Sequence, residues 1–170
     1  MKLGKAARLV VCSMVIFLLS ACGAKSPEDL EKNVLKDSYT GYSQESGYEY
    51  PFNHGGDTLV FDKSQKLITN SRNQSTKYAV LSEEQVKKIP PTYRGALVDL
   101  EDELKETDNF TIAIDVDDKT NLENAYAYYQ VVLNNDGENI RVIELRRGYK
   151  EDDAYFDFSG VADENKKSQK

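Results

Sequence analysis

Residues 125–147 read AYAYYQVVLNNDGENIRVIELRR. Two arms rich in β-branched and aromatic residues, Ala125 to Leu133 and Ile140 to Arg147, flank Asn134-Asn135-Asp136-Gly137. Such residues fit a pleated, half-buried surface, and Asp-Gly supplies the positive φ angles that a tight hairpin turn needs. Strands joined by so short a turn run antiparallel by geometry, so this stretch predicts an antiparallel sheet.

Working outward, Phe110, Ile112, Ile114 and Val116 alternate with Thr111, Ala113 and Asp115, the period of a strand with one buried face. Towards the amino terminus, Tyr48 to Phe52 and Asp57 to Phe61 are separated by Asn53-His54-Gly55-Gly56, and Asp62-Lys63-Ser64-Gln65 turns into Lys66 to Thr69. Lys77 to Leu81 predicts one more strand, and Tyr155 to Phe158 a short last one. Between them the period becomes helical. Ser82-Glu83-Glu84-Gln85 is a capping box, and Pro90-Pro91 ends its helix. Thr92 then caps a second helix whose Tyr93, Leu97, Leu100 and Leu104 fall on one face. The sum predicts an α+β domain, an antiparallel sheet of several short strands with a helical insert. The strand count also suits a partly closed, lipocalin-like barrel interrupted by the helical pair.

The amino terminus has a separate logic. Lys2, Lys5 and Arg8 precede an apolar or small run from Leu9 to Leu19, the order of a secretory signal, and the run is shorter than the roughly 20 residues a membrane span needs. It closes on Leu19-Ser20-Ala21-Cys22, which resembles the lipobox of bacterial lipoproteins at every position. The resemblance implies cleavage between Ala21 and Cys22 and a diacylglyceryl group on the Cys22 thiol. Two acyl chains anchor stably where one binds reversibly. On this reading residues 1–21 are the signal peptide, 22–37 a polar stalk, 38–162 a single domain and 163–170 a charged, disordered tail. Within the stalk, Leu30, Val34 and Leu35 follow a Ser26 cap and Pro27, which predicts a short amphipathic helix.

Removing the first 21 of 170 residues leaves 149, enough for one domain with its own core. The removed segment carries three cations and no acid, so the formal net charge moves from −7 to −10. Such a surface repels nucleic acid. With Cys12 removed and Cys22 acylated, the domain has no thiol for a disulfide, a nucleophile or a cysteine metal site. The lysine-rich, arginine-poor composition leans towards a Gram-positive source, and the expected location is the extracytoplasmic face of the cell membrane.

Candidate chemistry is sparse. His54 is the only histidine, and His54-Gly55-Gly56 resembles the oxyanion loop of lipases, but the chain lacks the Gly-x-Ser-x-Gly elbow and second histidine those enzymes need. Asp115, Asp117, Asp118, Asn121 and Glu123 are hard oxygen ligands, yet Lys119 and Thr120 break the calcium-loop pattern, and a solvated turn suits them better. No cofactor or metal is expected. Arg141, Arg146 and Arg147 read as ion-pair partners for the many acids. Tyr48, Tyr50, Tyr126 and Tyr128 are the candidate ligand contacts, because tyrosine joins a rigid apolar body to a polar tip; tyrosine is also a common strand residue, and rings that close the core of a small sheet are the favoured reading. The expectation is a non-enzymatic binding module that recognises an envelope protein, peptide or glycan. An envelope hydrolase using carboxylates and an immunity or phage-exclusion lipoprotein are the alternatives.

Overall fold

The computed structural model describes residues 25–43, 52–115, 122, 125–146 and 156–163. In chain order the elements are α1 (Pro27–Asn33), β1 (Ser38–Ser43), β2 (Gly55–Asp62), β3 (Leu67–Thr69) and β4 (Ser75–Val80). A helical insert follows, α2 (Glu83–Val86), α3 (Pro91–Asp99) and α4 (Glu101–Leu104), and then β5 (Asp108–Ile114), β6 (Ala127–Asn134), β7 (Asn139–Glu144) and β8 (Asp157–Ala162). Each strand pairs antiparallel with the next, and β8 pairs back onto β1, so the eight strands close into an up-and-down barrel. The open α+β sheet is therefore corrected to a closed barrel, and the barrel architecture expected as the alternative goes further than partial closure.

Closure depends on two small residues. Gly41 of β1 lies opposite Gly160 of β8, and a Cβ on Gly41 would sit 2.1 Å from the Ser159 carbonyl oxygen and 2.5 Å from the Gly160 Cα. Only glycine lets the first and last strands approach this closely while the Phe158 ring packs over them.

Alternation then decides what is inside. Tyr39, Leu59, Phe61, Ile68, Tyr78, Phe110, Ile112, Tyr129, Val131, Val142 and Phe158 belong to one buried cluster. An eight-stranded barrel is just wide enough for its side chains to fill it or to hold one small ligand, and here bulky rings occupy it. Phe52, from the β1–β2 connection, stacks on Phe156 with centroids 4.6 Å apart, and Tyr129 meets Phe52 edge-on at 4.9 Å. Of the strand expected over Tyr48 to Phe52, only Phe52 is among the described residues; it lies outside any strand and is buried.

The opposite end is closed by α1. Ser26 Oγ accepts from the Asp29 amide (3.1 Å), and Pro27 and two acids occupy the first turn, all of which favour a helix start. Leu30, Val34 and Leu35 join the barrel core, each burial contributing about 1.5–3 kcal/mol. The stalk expected over 22–37 thus yields its second half to the domain. Buried Glu31 accepts from Tyr78 Oη (2.5 Å) and pairs with Lys66 Nζ. Burial and the Glu31 carboxylate both push the Tyr78 phenol up from its ordinary value. Gly137, at φ +80°, lets the β6–β7 turn touch the end of α1: a Cβ there would lie 2.1 Å from the Val34 carbonyl oxygen. Tyr39 Oη donates to the Gly137 carbonyl and accepts from the Lys36 amide, both at 2.8 Å, and burial pushes its phenol up to about 12. At the carboxyl end Asp163, expected to open the disordered tail, accepts from Ser38 and Thr40 hydroxyls.

The helical insert covers the outside of β4–β7. Ala79, Ala113, Tyr128, Val132 and Ile143 point outward there and pack against Ile89, Ala96 and Leu100. The capping box forms as expected, with Ser82 and Gln85 bonding reciprocally. The second helix differs: Pro90 rather than Thr92 stands at its N-cap, without a side-chain bond, and it breaks at Leu100 (φ −93°, ψ −1°). Arg141 of β7 straps the insert down, with Nε and Nη2 on Asp157 (2.8 and 2.6 Å) and Nη1 on Glu103 of α4 (2.6 and 2.7 Å). Among the described residues nothing covers the outer face of β8, β1 and β2, where Tyr42, Val60 and Val161 are exposed.

Candidate functional site

Where α1, the insert and the start of β5 meet, they leave a groove of about 510 Å³, within the range of about 300–1,000 Å³ typical of ligand sites. One wall is Pro27 and Leu30 of α1. The other is Val86 of α2, Leu97 of α3 and Leu104 of α4. Both walls are apolar because each element turns its hydrophobic face to the barrel and leaves the edge of that face uncovered.

The floor is polar. Thr111 and Gln130 are a cross-strand pair on the outward side of β5 and β6, and both are buried. Thr111 Oγ1 donates to Gln130 Oε1 (2.7 Å), Gln130 Nε2 donates to Asn109 Oδ1 (2.8 Å), and Asn109 Nδ2 donates to the carbonyl oxygens of Leu104 and Thr107 (both 2.8 Å). This relay ties the end of α4 to the barrel wall and holds the side-chain amides in fixed orientations, which a mobile polar surface does not offer.

Charges ring the mouth. Lys25 Nζ pairs with Asp108 at 2.8 Å, both side chains being partly exposed. Glu83 of α2 and Lys87, just after it, line the edge. Lys87 pairs with Glu84 at 2.6 Å, a hydrogen bond that lowers the carboxyl and raises the ammonium. A second depression of about 520 Å³ shares Thr107 and Asp108 but is bounded by Lys105, Glu106, Asn134, Asn135 and Asp136. It lacks the apolar walls of the first.

Asp57 of β2 is a buried acid that accepts several hydrogen bonds on the barrel itself. Burial raises its carboxyl, but hydrogen bonds from Ser71, Asn53 and Thr58 more than offset this and hold it below the ordinary value. These contacts bind the β1–β2 connection to the β3–β4 loop, a structural role.

The candidates drawn from sequence are not brought together at the groove. Tyr128 lies buried beneath the insert, its hydroxyl donating to the Leu122 carbonyl and its ring 5.1 Å from that of Tyr93. Tyr126 is 57% exposed, so the two tyrosines form no shared contact surface. Ala21, Cys22, Tyr48 and Tyr50 lie outside the described residues. His54 is exposed. Asp115 accepts from Thr76 Oγ1 at 2.8 Å, while Asp117, Asp118, Asn121 and Glu123 lie outside the described residues, which contain no group of three possible metal ligands. Arg141 takes up the ion-pair role expected of it. Sequence reasoning missed Asn109, Thr111 and Gln130; their signal was the polar side of two strands otherwise flanked by apolar outward residues. No family model, no curated protein and no solved structure matches the chain.

Proposed function

We propose that the protein is a lipid-anchored, extracytoplasmic binding module without catalytic activity, exported by residues 1–21, held at the cell membrane through Cys22, and binding its ligand in the groove between α1 and the helical insert. One observation carries the reading of the site: apolar walls converge there on a fixed amide and hydroxyl floor, the combination that gives a binding pocket both affinity and orientation. The barrel interior supports it from the other side, since bulky rings pack into the space that a lipocalin-type ligand would take. The anchor rests on the Leu19-Ser20-Ala21-Cys22 motif closing an apolar run, and a Gram-positive membrane is the expected setting.

The test uses the full chain recovered from its own membranes, wild type against Val86→Arg, with thermal melting as a control for folding. Capture of envelope ligands by the wild type is expected to drop about tenfold in the variant, the loss of about 1.4 kcal/mol. Equal capture by a variant that melts normally would remove the groove from consideration.

A further inference from the structure

We propose that the occupant of the groove is the membrane-proximal, extracytoplasmic segment of an integral membrane protein, met in the plane of the bilayer. This rests on the anchor and groove proposed above and names the partner class. Lys25 lines the groove and is fixed to Asp108 at 2.8 Å. It stands three residues after Cys22, and three extended residues span at most about 11 Å. An acylated Cys22 lies at the headgroup level, so the mouth of the groove is held within about 11 Å of it. A ligand entering there is one that is present at the membrane surface.

The chemistry of the groove favours a peptide over a lipid. Lys25 and Lys87 at its edge are balanced by Asp108 and Glu83, so the rim offers no net positive charge to the anionic headgroups that would accompany a phospholipid. With one Nε2 hydrogen given to Asn109 and one Oε1 lone pair to Thr111, the Gln130 amide keeps a donor and an acceptor that match a peptide backbone. Val86, Leu97 and Leu104 receive apolar side chains of the kind that flank a membrane span. The short tether also raises the effective concentration of any such segment diffusing in the same bilayer.

The experiment places a benzophenone amino acid at Lys87, on the rim, or at Ser159, on the outer face of β8, in the full chain in living cells. Each is made with the native tether and with about ten Gly/Ser residues inserted between Gly23 and Ala24. Adducts to proteins that resist carbonate extraction are expected from Lys87 and not from Ser159. Their yield should fall about tenfold with the long tether, as effective concentration falls with roughly the −3/2 power of linker length. Adducts only to lipid or to soluble proteins, yields indifferent to tether length, equal labelling from Ser159, or no adduct would each overturn the proposal. The intact mass of the purified protein separates the two layers: a missing diacylglyceryl group overturns the anchor itself, whereas an acylated protein without tether-dependent adducts overturns the partner class.

Discussion

Gly41 and Gly160 face one another across the β1–β8 seam, and the ring of Phe158 lies over both. A methyl at Gly41 meets backbone at 2.1 Å, which no rotamer change relieves. Gly41→Ala is therefore expected to cost about 3 kcal/mol, the upper end of what overpacking costs. Gly95, in α3, has open space around the position a Cβ would take, and Gly95→Ala should instead stabilise by about 0.5–1 kcal/mol. Urea denaturation of the two variants checks both signs at once.

Tyr126 and Tyr128 should behave as unlike residues. Tyr128→Ala empties a buried site beneath the insert and is expected to destabilise by about 3–5 kcal/mol. Tyr126→Ala should stay within about 0.5 kcal/mol of the wild type, as exposed positions do. Thermal melts separate them, and a Tyr128→Ala protein with unchanged stability would contradict the packing described.

An alkaline limit follows from the buried phenols. Tyr39 keeps its proton to about pH 12 in the folded barrel and releases it near 10 when unfolded, and Tyr78 shifts in the same direction. A folded-state value raised in this way gives stability that is complete below pH 10 and declines as the pH rises from there through the folded value. Stability should fall steeply above pH 10, and Tyr39→Phe and Tyr78→Phe should each flatten that limb. Denaturation midpoints measured from pH 8 to pH 12 give the slope.

Arg141 is the strap on the insert. Arg141→Met removes its bonds to Glu103 and Asp157 and is expected to cost about 1.5–3 kcal/mol, the range for hydrogen bonds to charged groups. Amide exchange should quicken in α4 and at the end of α3 more than in β1 and β2. Uniform acceleration would mean that Arg141 supports the whole barrel rather than the insert.

The alternating pattern of Phe110, Ile112 and Ile114, the Asp136-Gly137 turn and the Ser82 capping box each fixed a local element that the fold contains. These signals are contained in a few neighbouring residues. Closure was not legible, because it depends on Gly41 meeting Gly160, residues far apart in sequence whose significance is the lack of a side chain. The groove was illegible for a similar reason. Its walls come from α1, α2, α3 and α4, and its floor from Asn109, Thr111 and Gln130, and only the fold brings these separate elements together. Tyr128 misled because its strand pattern is bulky on both sides: the outer face of β6 is covered by the insert, so alternation there separates two buried environments rather than core from solvent.

The closed ring of strands also determines how copies of this protein can meet one another. Each of the eight strands is hydrogen-bonded on both sides, so among the described residues the barrel leaves no open sheet edge for another chain to zip onto. Molecules pressed together at high density have no template for edge-to-edge polymerisation.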